Sequence, residues 1–405
     1  MKQSKFLILI WISAVLFYMY TRMISTSLSA FAIPLQSNLG FTNLDIAWAI
    51  LMYSLAMLIM KIPVEMLVDR FGIDFPLLFA MSIVLIGTLM FAYPINYHTL
   101  LLSRFVIGIG AAFAMMSAYR LTSIILSKRL FAIATGFIYF FGSLAVSVSG
   151  APLNAAIKNY NYSSIVLVLA SILVFVLCLY ATSRYMYGSI PKTGNIKSFN
   201  DYFTGVKGIF KDKQIVITII YTSFFTCVFF NTIGYWGNTI LSHTKLTDLE
   251  QSGLVGNSIA SISSGLASIL VGFIIAAQFL KRAHIAIFTS LATISVIILF
   301  YTDITNIYLL MFASFCFGFG FGFTGIAFDT ANKRNQAYLV SILSMLFLVE
   351  YILNSIINPM AAYLQTTGVS YGFSEFTSYK LAYGLFLALL LVANYLSFFI
   401  KPQKA

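Results

Sequence analysis

Charge is what this chain has least of. Asp, Glu, Lys and Arg make up 9% of its 405 residues, against about 25% in a soluble domain. That shortage, with 60% hydrophobic residues and a mean hydropathy of +0.92, excludes a water-soluble globule. Cysteine and histidine are nearly as scarce, at 3 each. Cys178, Cys227 and Cys316 lie inside apolar stretches without paired spacing or a neighbouring His, so they read as inert thiols. His98, His243 and His284 stand at the ends of such stretches, far apart in sequence. Neither metal nor redox chemistry is expected. No nucleotide-binding motif is present, and Gly253, Gly265, Gly272, Gly318, Gly320, Gly322 and Gly325 have no strand–turn–helix context for phosphate. These glycines instead suit close helix packing. No enzymatic activity and no bound cofactor are expected.

What the chain does have is long apolar runs. Polar breaks divide it into twelve spans: 6–34, 43–68, 75–95, 99–126, 130–157, 162–183, 214–241, 251–279, 284–302, 306–330, 336–365 and 381–400. Most are long enough to cross a bilayer as a helix, which takes about 20 residues. The start, Met1 to Phe17, is like a secretory signal in its basic end, but no small-residue cleavage site follows. It is read as a retained first span. The segment 184–213, with Arg184, Lys192, Lys197, Lys207, Lys211 and Lys213, joins two six-span halves, 1–183 and 214–405.

The net charge of +12 has a pattern. Alternate loops, the 184–213 segment and both ends hold 17 of the 24 Lys and Arg; the opposite loops hold only Lys158, Lys245 and Lys380. Cations favour the cytoplasmic side, so both termini and the linker are expected there, in a bacterial inner membrane. The charge is a topology signal and not a nucleic-acid footprint. Lys128-Arg129 opens the fifth span and Lys333-Arg334 the eleventh, the same place in each half, as an internal duplication requires.

Between the second and third spans runs Glu65-Met66-Leu67-Val68-Asp69-Arg70-Phe71-Gly72-Ile73-Asp74, with Pro63 just before it. The fourth span opens Arg104-Phe105-Val106-Ile107-Gly108-Ile109-Gly110. These two stretches and the six-plus-six layout resemble the major facilitator superfamily, whose patterns are G-x-L-x-D-R-x-G followed by a basic residue, and R-x-x-x-G-x-G. Leu67, Asp69, Arg70 and Gly72 match; Glu65 replaces the first Gly, and Ile73 and Asp74 the basic end. The resemblance implies an all-α membrane fold of twelve helices in two pseudo-symmetric six-helix bundles around a central cavity. It also implies secondary transport by alternating access, with Asp69, Arg70 and Gly72 in a cytoplasmic gate. Asp69 is expected near a helix N-terminus, where the macrodipole favours an acid. A solvated loop whose Arg merely sets topology is the plainer alternative.

An ionisable group at bilayer depth is costly unless paired or hydrated. Arg22 is one, with Tyr18, Thr26 and Ser29 on its helical face. Tyr18-Met19-Tyr20-Thr21-Arg22 also resembles the first helix of organic-anion and organophosphate carriers, in which an Arg grips the anionic group. A guanidinium holds carboxylate or phosphate through two parallel bonds; internal packing is the alternative. Glu350 is the one acid near the middle of a span, with Asn354 and Asn358 continuing its face. Removing a carboxylate from water disfavours its charged form, the property a proton carrier needs, but a permanent salt bridge or a neutral carboxyl kept for packing is equally open. Counting from Lys5 and Lys213 sets Asn231 against Arg22, followed by Tyr235, Trp236 and Asn238 as a cavity wall or an aromatic interface belt. Arg104 matches a family position linked to proton relay; Arg120 can snorkel; Lys61 and Glu65 can pair.

The expected substrate is a small organic anion, a citrate-type polycarboxylate siderophore included, bound by Arg22, Tyr18, Thr26, Asn231, Tyr235, Trp236 and Asn354. Glu350 and Arg104 carry the proton coupling, an ion gradient, H+, supplies the energy, and the partners are substrate and lipid alone, the protein being a monomer. The alternatives are an exporter of amphipathic neutral or cationic compounds, against which the half-matched Gly150-Ala151-Pro152-Leu153 counts, and a receptor that keeps the fold without transport.

Overall fold

The computed structural model describes the chain except residues 1, 42, 189, 191–206, 234–235, 238–248, 280, 303, 305, 327–338 and 402–405. The side chains of some further helical residues, Asp69 among them, are outside the description too. Tyr235, Asn238, Lys333, Arg334 and most of the 184–213 segment thus lie outside the described residues.

The helices are α1 (Lys2–Thr26), α2 (Leu28–Leu39), α3 (Asn43–Phe71), α4 (Asp74–Ala92), α5 (Tyr97–Ile125), α6 (Lys128–Val148), α7 (Ala151–Asn159), α8 (Tyr162–Tyr187), α9 (Lys213–Thr232), α10 (Leu249–Ala276), α11 (Arg282–Tyr301), α12 (Ile307–Phe321), α13 (Leu339–Ser370) and α14 (Glu375–Ser397). A 3₁₀ turn, Gly322–Gly325, extends α12. Among the described residues, twelve spans are long and apolar enough to cross a membrane. Their outer faces are greasy: Val168, Ile172 and Phe175, on one side of α8, are 60%, 47% and 65% exposed. Only hydrocarbon is a comfortable solvent for such a stripe, and α-helices leave no backbone polar group unmet there.

The chain forms two compact units. The first is Met1–Phe131 with Val148–Thr204. In it α5 lies between α3 and α4, and α1 packs on α5 and α8. The motif glycines explain the closeness. A Cβ on Gly108 would stand 2.6 Å from Tyr53 O of α3, and one on Gly110 2.5 Å from Ala80 O of α4. Each glycine of R-x-x-x-G-x-G therefore serves one neighbour of α5. Arg104, Tyr119, Phe31, Phe91 and Phe113 are fully buried around it.

The second unit is Ala132–Ser147 with Gly205–Ala405. Its core is aromatic: Phe229 stacks on Phe321 at 3.8 Å, and Phe288 on Phe323 at 4.0 Å. The fifth span is thereby divided, since the sequence reading put all of 130–157 in the first half. The reason is local: Cβ atoms on Gly136 and Gly272 would fall 2.4 Å from Ser268 O and 2.5 Å from Ala132 O. Glycine lets the backbones of α6 and α10 touch, and Ser143 Oγ meets Ser264 Oγ at 3.3 Å.

The charged loop also differs from expectation. Asp69 is not near a helix N-terminus, because α3 runs on to Phe71 and puts Arg70 in its last turn. The negative end of the helix dipole favours the cation there, and Arg70 Cζ lies 5.5 Å above the Phe71 ring. Gly72 then takes φ +80°, a left-handed turn that an L side chain resists. The acid at a helix N-terminus is Asp74, the first residue of α4.

Candidate functional site

In the first unit the polar stripe of the first span ends in a break. Helix α1 stops at Thr26, Ser27 forms a turn, and α2 starts at Leu28. Hydroxyls turn back onto the backbone ahead of it. Ser25 Oγ and Thr26 Oγ1 donate to Arg22 O at 2.8 and 2.9 Å, and Ser27 Oγ to Ile24 O at 3.0 Å. Such back-bonding bends helices. Arg104 on α5 completes the arrangement, donating from its two terminal nitrogens to Ile24 O at 2.9 Å and Ser25 O at 3.1 Å. Only 1% exposed, it packs its guanidinium over the rings of Tyr53 at 5.1 Å and Phe91 at 5.4 Å. An insulated cation that bonds backbone carbonyls fixes the shape of the break.

Arg22 sits one turn before that break, half-buried, with half-buried Thr26 and buried Tyr18 on its face. The hydroxyl of Tyr53, from α3, bonds Ser25 and lies in the electrostatic field of both Arg22 and Arg104. Thr26 Oγ1 meets Ser149 Oγ at 2.5 Å. Ser149 is the second break of this unit, between α6 and α7, with Pro152 in the first turn beyond it. Two interrupted helices therefore touch through a pair of hydroxyls beside the intramembrane arginine. Tyr53, Ser25 and Ser149 were not singled out from sequence; the only hint was Tyr53-Ser54, a polar step in an otherwise apolar span.

In the second unit a polar seam joins α9 and α13. Ser223 Oγ donates to Leu346 O at 2.9 Å, Asn231 Nδ2 to Asn354 Oδ1 at 2.6 Å, and the Trp236 indole N–H to Asn358 Oδ1 at 2.8 Å. Cys227 Sγ also reaches Asn354 Oδ1, at 3.3 Å. Leu346, Glu350, Asn354 and Asn358 are each one turn apart, so Glu350 lies on the seam face. It is 5% exposed and close enough to the Cys227 thiol to interact with it electrostatically. Trp236 is buried against Tyr379 and Phe386, inside the unit and not in an interface belt.

The two units repeat each other. Tyr20 Oη meets Thr88 Oγ1 at 2.9 Å, and Tyr221 Oη meets Thr289 Oγ1 at 2.9 Å, each pair 68 residues apart. The same offset, 201, separates Tyr20 from Tyr221 and Thr88 from Thr289. It sets Thr26 against Cys227 and Ser149 against Glu350; the Cys227 thiol bonds Asn354, one turn beyond Glu350. It also sets Arg22 against Ser223. The equivalence of Arg22 with Asn231 was therefore about two turns too far along: counting from Lys5 and Lys213 uses an offset of about 208, where the paired bonds give 201.

Near the loop of the gate motif, Asp74 Oδ2 pairs with Arg184 at 2.9 Å and accepts from Ile190 N at 3.2 Å. The residue that breaks the family's basic pattern thus ties α4 to the end of α8. Where the side chain of Asp69 points lies outside the described residues.

Fold and spans define a multi-pass integral membrane protein. Residues 10–334 match the sequence pattern of the Major Facilitator Superfamily, and the chain belongs to that family. Among curated proteins, a probable vesicular acetylcholine transporter-A of Danio rerio is 39% identical over 88 residues, 20% of this chain and 17% of its own length. An uncharacterized transporter, YybO, of Bacillus subtilis (strain 168) is 26% identical over 292 residues, 67% of this chain and 65% of its own. The matched stretches thus span less than two thirds of these relatives. The solved structure of the proton:xylose symporter XylE bound to 6-bromo-6-deoxy-D-glucose superposes with a TM-score of 0.72, covering 99% of this chain and 97% of that one at 13% identity. That likeness shows the fold: twelve helices in two pseudo-symmetric bundles.

Proposed function

We propose that this chain is a secondary active transporter that works by alternating access and moves a small organic anion bearing a carboxylate or phosphate. The observation that carries the reading is Arg22, a half-buried guanidinium within a span and beside a helix break, with Tyr18 and Thr26 on its helical face and Tyr53 within its electrostatic field. Arg offers two parallel charge-assisted bonds to such a group, and at depth those bonds are worth more than in water. Asn231, Tyr235, Trp236 and Asn354 contribute neutral contacts. Glu350 exchanges the coupling proton, so a proton gradient is the energy source and no cofactor is used. Arg104 supports this cycle through the shape of helix 1. Asp69, Arg70 and Gly72 form the cytoplasmic gate. We further propose that the halves 1–183 and 214–405 move about the 184–213 linker, that linker and termini face the cytoplasm of a bacterial cell, and that the protein works as a monomer.

The test is flux in proteoliposomes over a panel of anionic and cationic metabolites, with and without a pH gradient. Anion movement that collapses in Arg22→Gln supports the proposal; if no anion moves, or if Arg22→Gln transports normally, it fails. One observation favours a second reading, export of amphipathic or cationic compounds with Glu350 as the cation's partner: the short likeness to a vesicular acetylcholine transporter. In that case cations move and Arg22→Gln leaves them moving.

A further inference from the structure

The end of the second unit at which the 184–213 segment arrives gathers cations and exposed aromatic rings. A helical turn at 207–211 puts Lys207, Phe210 and Lys211 on one face, at i, i+3 and i+4, while Ile209 is buried at 3% exposure. Asp212 then caps α9, its Oδ1 accepting from Gln214 N at 2.9 Å, and α9 starts at Lys213. The side-chain amide of Gln214 holds the far end of the chain. Its Nε2 donates to Phe399 O at 3.2 Å, and its Oε1 accepts from Lys401 N at 2.8 Å. The tail beyond α14 is therefore tied to the first turn of α9, with Ile400 fully buried and Lys401 exposed.

Helix α11 brings Lys281 to the same end. It packs on α14, and two bonds set the register: Tyr301 Oη donates to Lys380 O at 3.0 Å, and Ser290 Oγ to Asn394 Oδ1 at 3.1 Å. Residue numbers fall along α11 as they rise along α14, so the two helices are antiparallel. From Ser290 it is eight residues, about 12 Å, back to Arg282 at the start of α11; from Asn394 it is seven residues onward to Lys401. Lys207, Lys211, Lys213, Lys281 and Lys401 are all exposed. Beside them in the chain Phe210, Phe279, Phe398 and Phe399 are 60%, 68%, 57% and 45% exposed.

The combination selects a ligand. Lysines alone would suit any small anion, or would only set topology. Rings exposed to this extent among them call for an apolar cover, which a soluble anion does not bring. A phospholipid brings both: its phosphate meets the lysine heads, while its glycerol and acyl chains cover the rings and the lysine stems. We infer that this end of the second unit is a binding site for an anionic phospholipid, which fastens the end of the 184–213 segment and the C-terminal tail to the leaflet they face. The site is contained in one unit and is independent of what the protein transports.

The experiment titrates the purified full chain with phosphatidylglycerol and with phosphatidylcholine and follows bound lipid by native mass spectrometry. Phosphatidylglycerol is expected to be retained preferentially. Lys207→Gln, Lys211→Gln and Lys401→Gln should each weaken its binding about fivefold, the scale of one lysine at an anionic surface. Lys380→Gln, at the opposite end of α14, should leave it unchanged. Gln214→Ala, accepted once size-exclusion shows a folded protein, frees the tail without altering charge; it too should weaken binding, which lysines that only set topology would not produce. Equal retention of the two lipids overturns the inference, as does a loss in Lys380→Gln equal to that in the other lysine variants. Glycerol 3-phosphate that displaces the lipid at equal concentration would make this a soluble-anion site and overturns it as well. If Gln214→Ala does not fold, the comparison among the four exchanges of lysine decides.

Discussion

Adding one methyl group to Gly110 or Gly108 tests whether α5 is held at contact distance by its neighbours. At Gly110 the new Cβ would stand 2.5 Å from Ala80 O and 2.6 Å from Val84 Cγ2. At Gly108 it would stand 2.6 Å from Tyr53 O and 2.7 Å from Ala56 Cβ. All four are under the 3.0 Å that real Cβ atoms observe. Each site includes a backbone carbonyl, which moves only if its helix moves. Overpacking of this kind costs about 1–3 kcal/mol, while Ala in place of Gly returns about 1 kcal/mol of helix propensity. The net expectation is a loss of up to roughly 2 kcal/mol for either variant. Gly384→Ala is the internal control: it is in the middle of α14, and the nearest atom to its Cβ is Tyr301 Oη at 3.7 Å. It receives the propensity gain without the clash. Thermal melting of the purified proteins in one detergent should rank Gly384→Ala at or above the wild type and the other two below it. A Gly108→Ala or Gly110→Ala protein that melts at or above the wild type refutes the packing argument. The pair also differ in function, since only Gly108 abuts the Tyr53 backbone. Gly108→Ala should reduce flux beyond what its lost stability explains.

Tyr20→Phe and Tyr221→Phe each remove one buried hydroxyl bond to a Thr at 2.9 Å, so each should lower stability by about 1 kcal/mol. Being in separate units, their effects should add; clearly unequal melting shifts would break the equivalence of the two pairs. The Asp74–Arg184 pair, with side chains 20% and 30% exposed, should show a coupling of about 1 kcal/mol or less in a cycle of Asp74→Asn and Arg184→Gln. That coupling should shrink in high salt, and one that is salt-independent would contradict its partly solvated setting. Glu350→Gln cannot release a proton, so it should retain substrate exchange but lose accumulation driven by a pH gradient. Gradient-driven uptake that survives this change removes Glu350 from the coupling step.

The spans were legible because a bilayer allows few alternatives: a run of about 20 apolar residues with its backbone bonds closed internally is a helix. Their interruptions were not. No Gly or Pro stands at Ser27, and the break there depends on Arg104, which bonds Ile24 O from 80 residues away, a contact that local patterns do not carry. The sequence reading placed Arg104 with Glu350 in the proton coupling because it matches a family position linked to proton relay; its bonds to Ile24 and Ser25 were not legible there and give it a part in the backbone geometry of helix 1. The repeat was hidden for a related reason. By the same offset its other positions have diverged, Arg22 to Ser223, Thr26 to Cys227 and Ser149 to Glu350, while the pairs that preserve the register are an unremarkable tyrosine and threonine. Register is therefore kept where packing is shared and lost where the halves do different work. The largest change is the guanidinium of Arg22 in the first unit against the hydroxyl of Ser223 in the second.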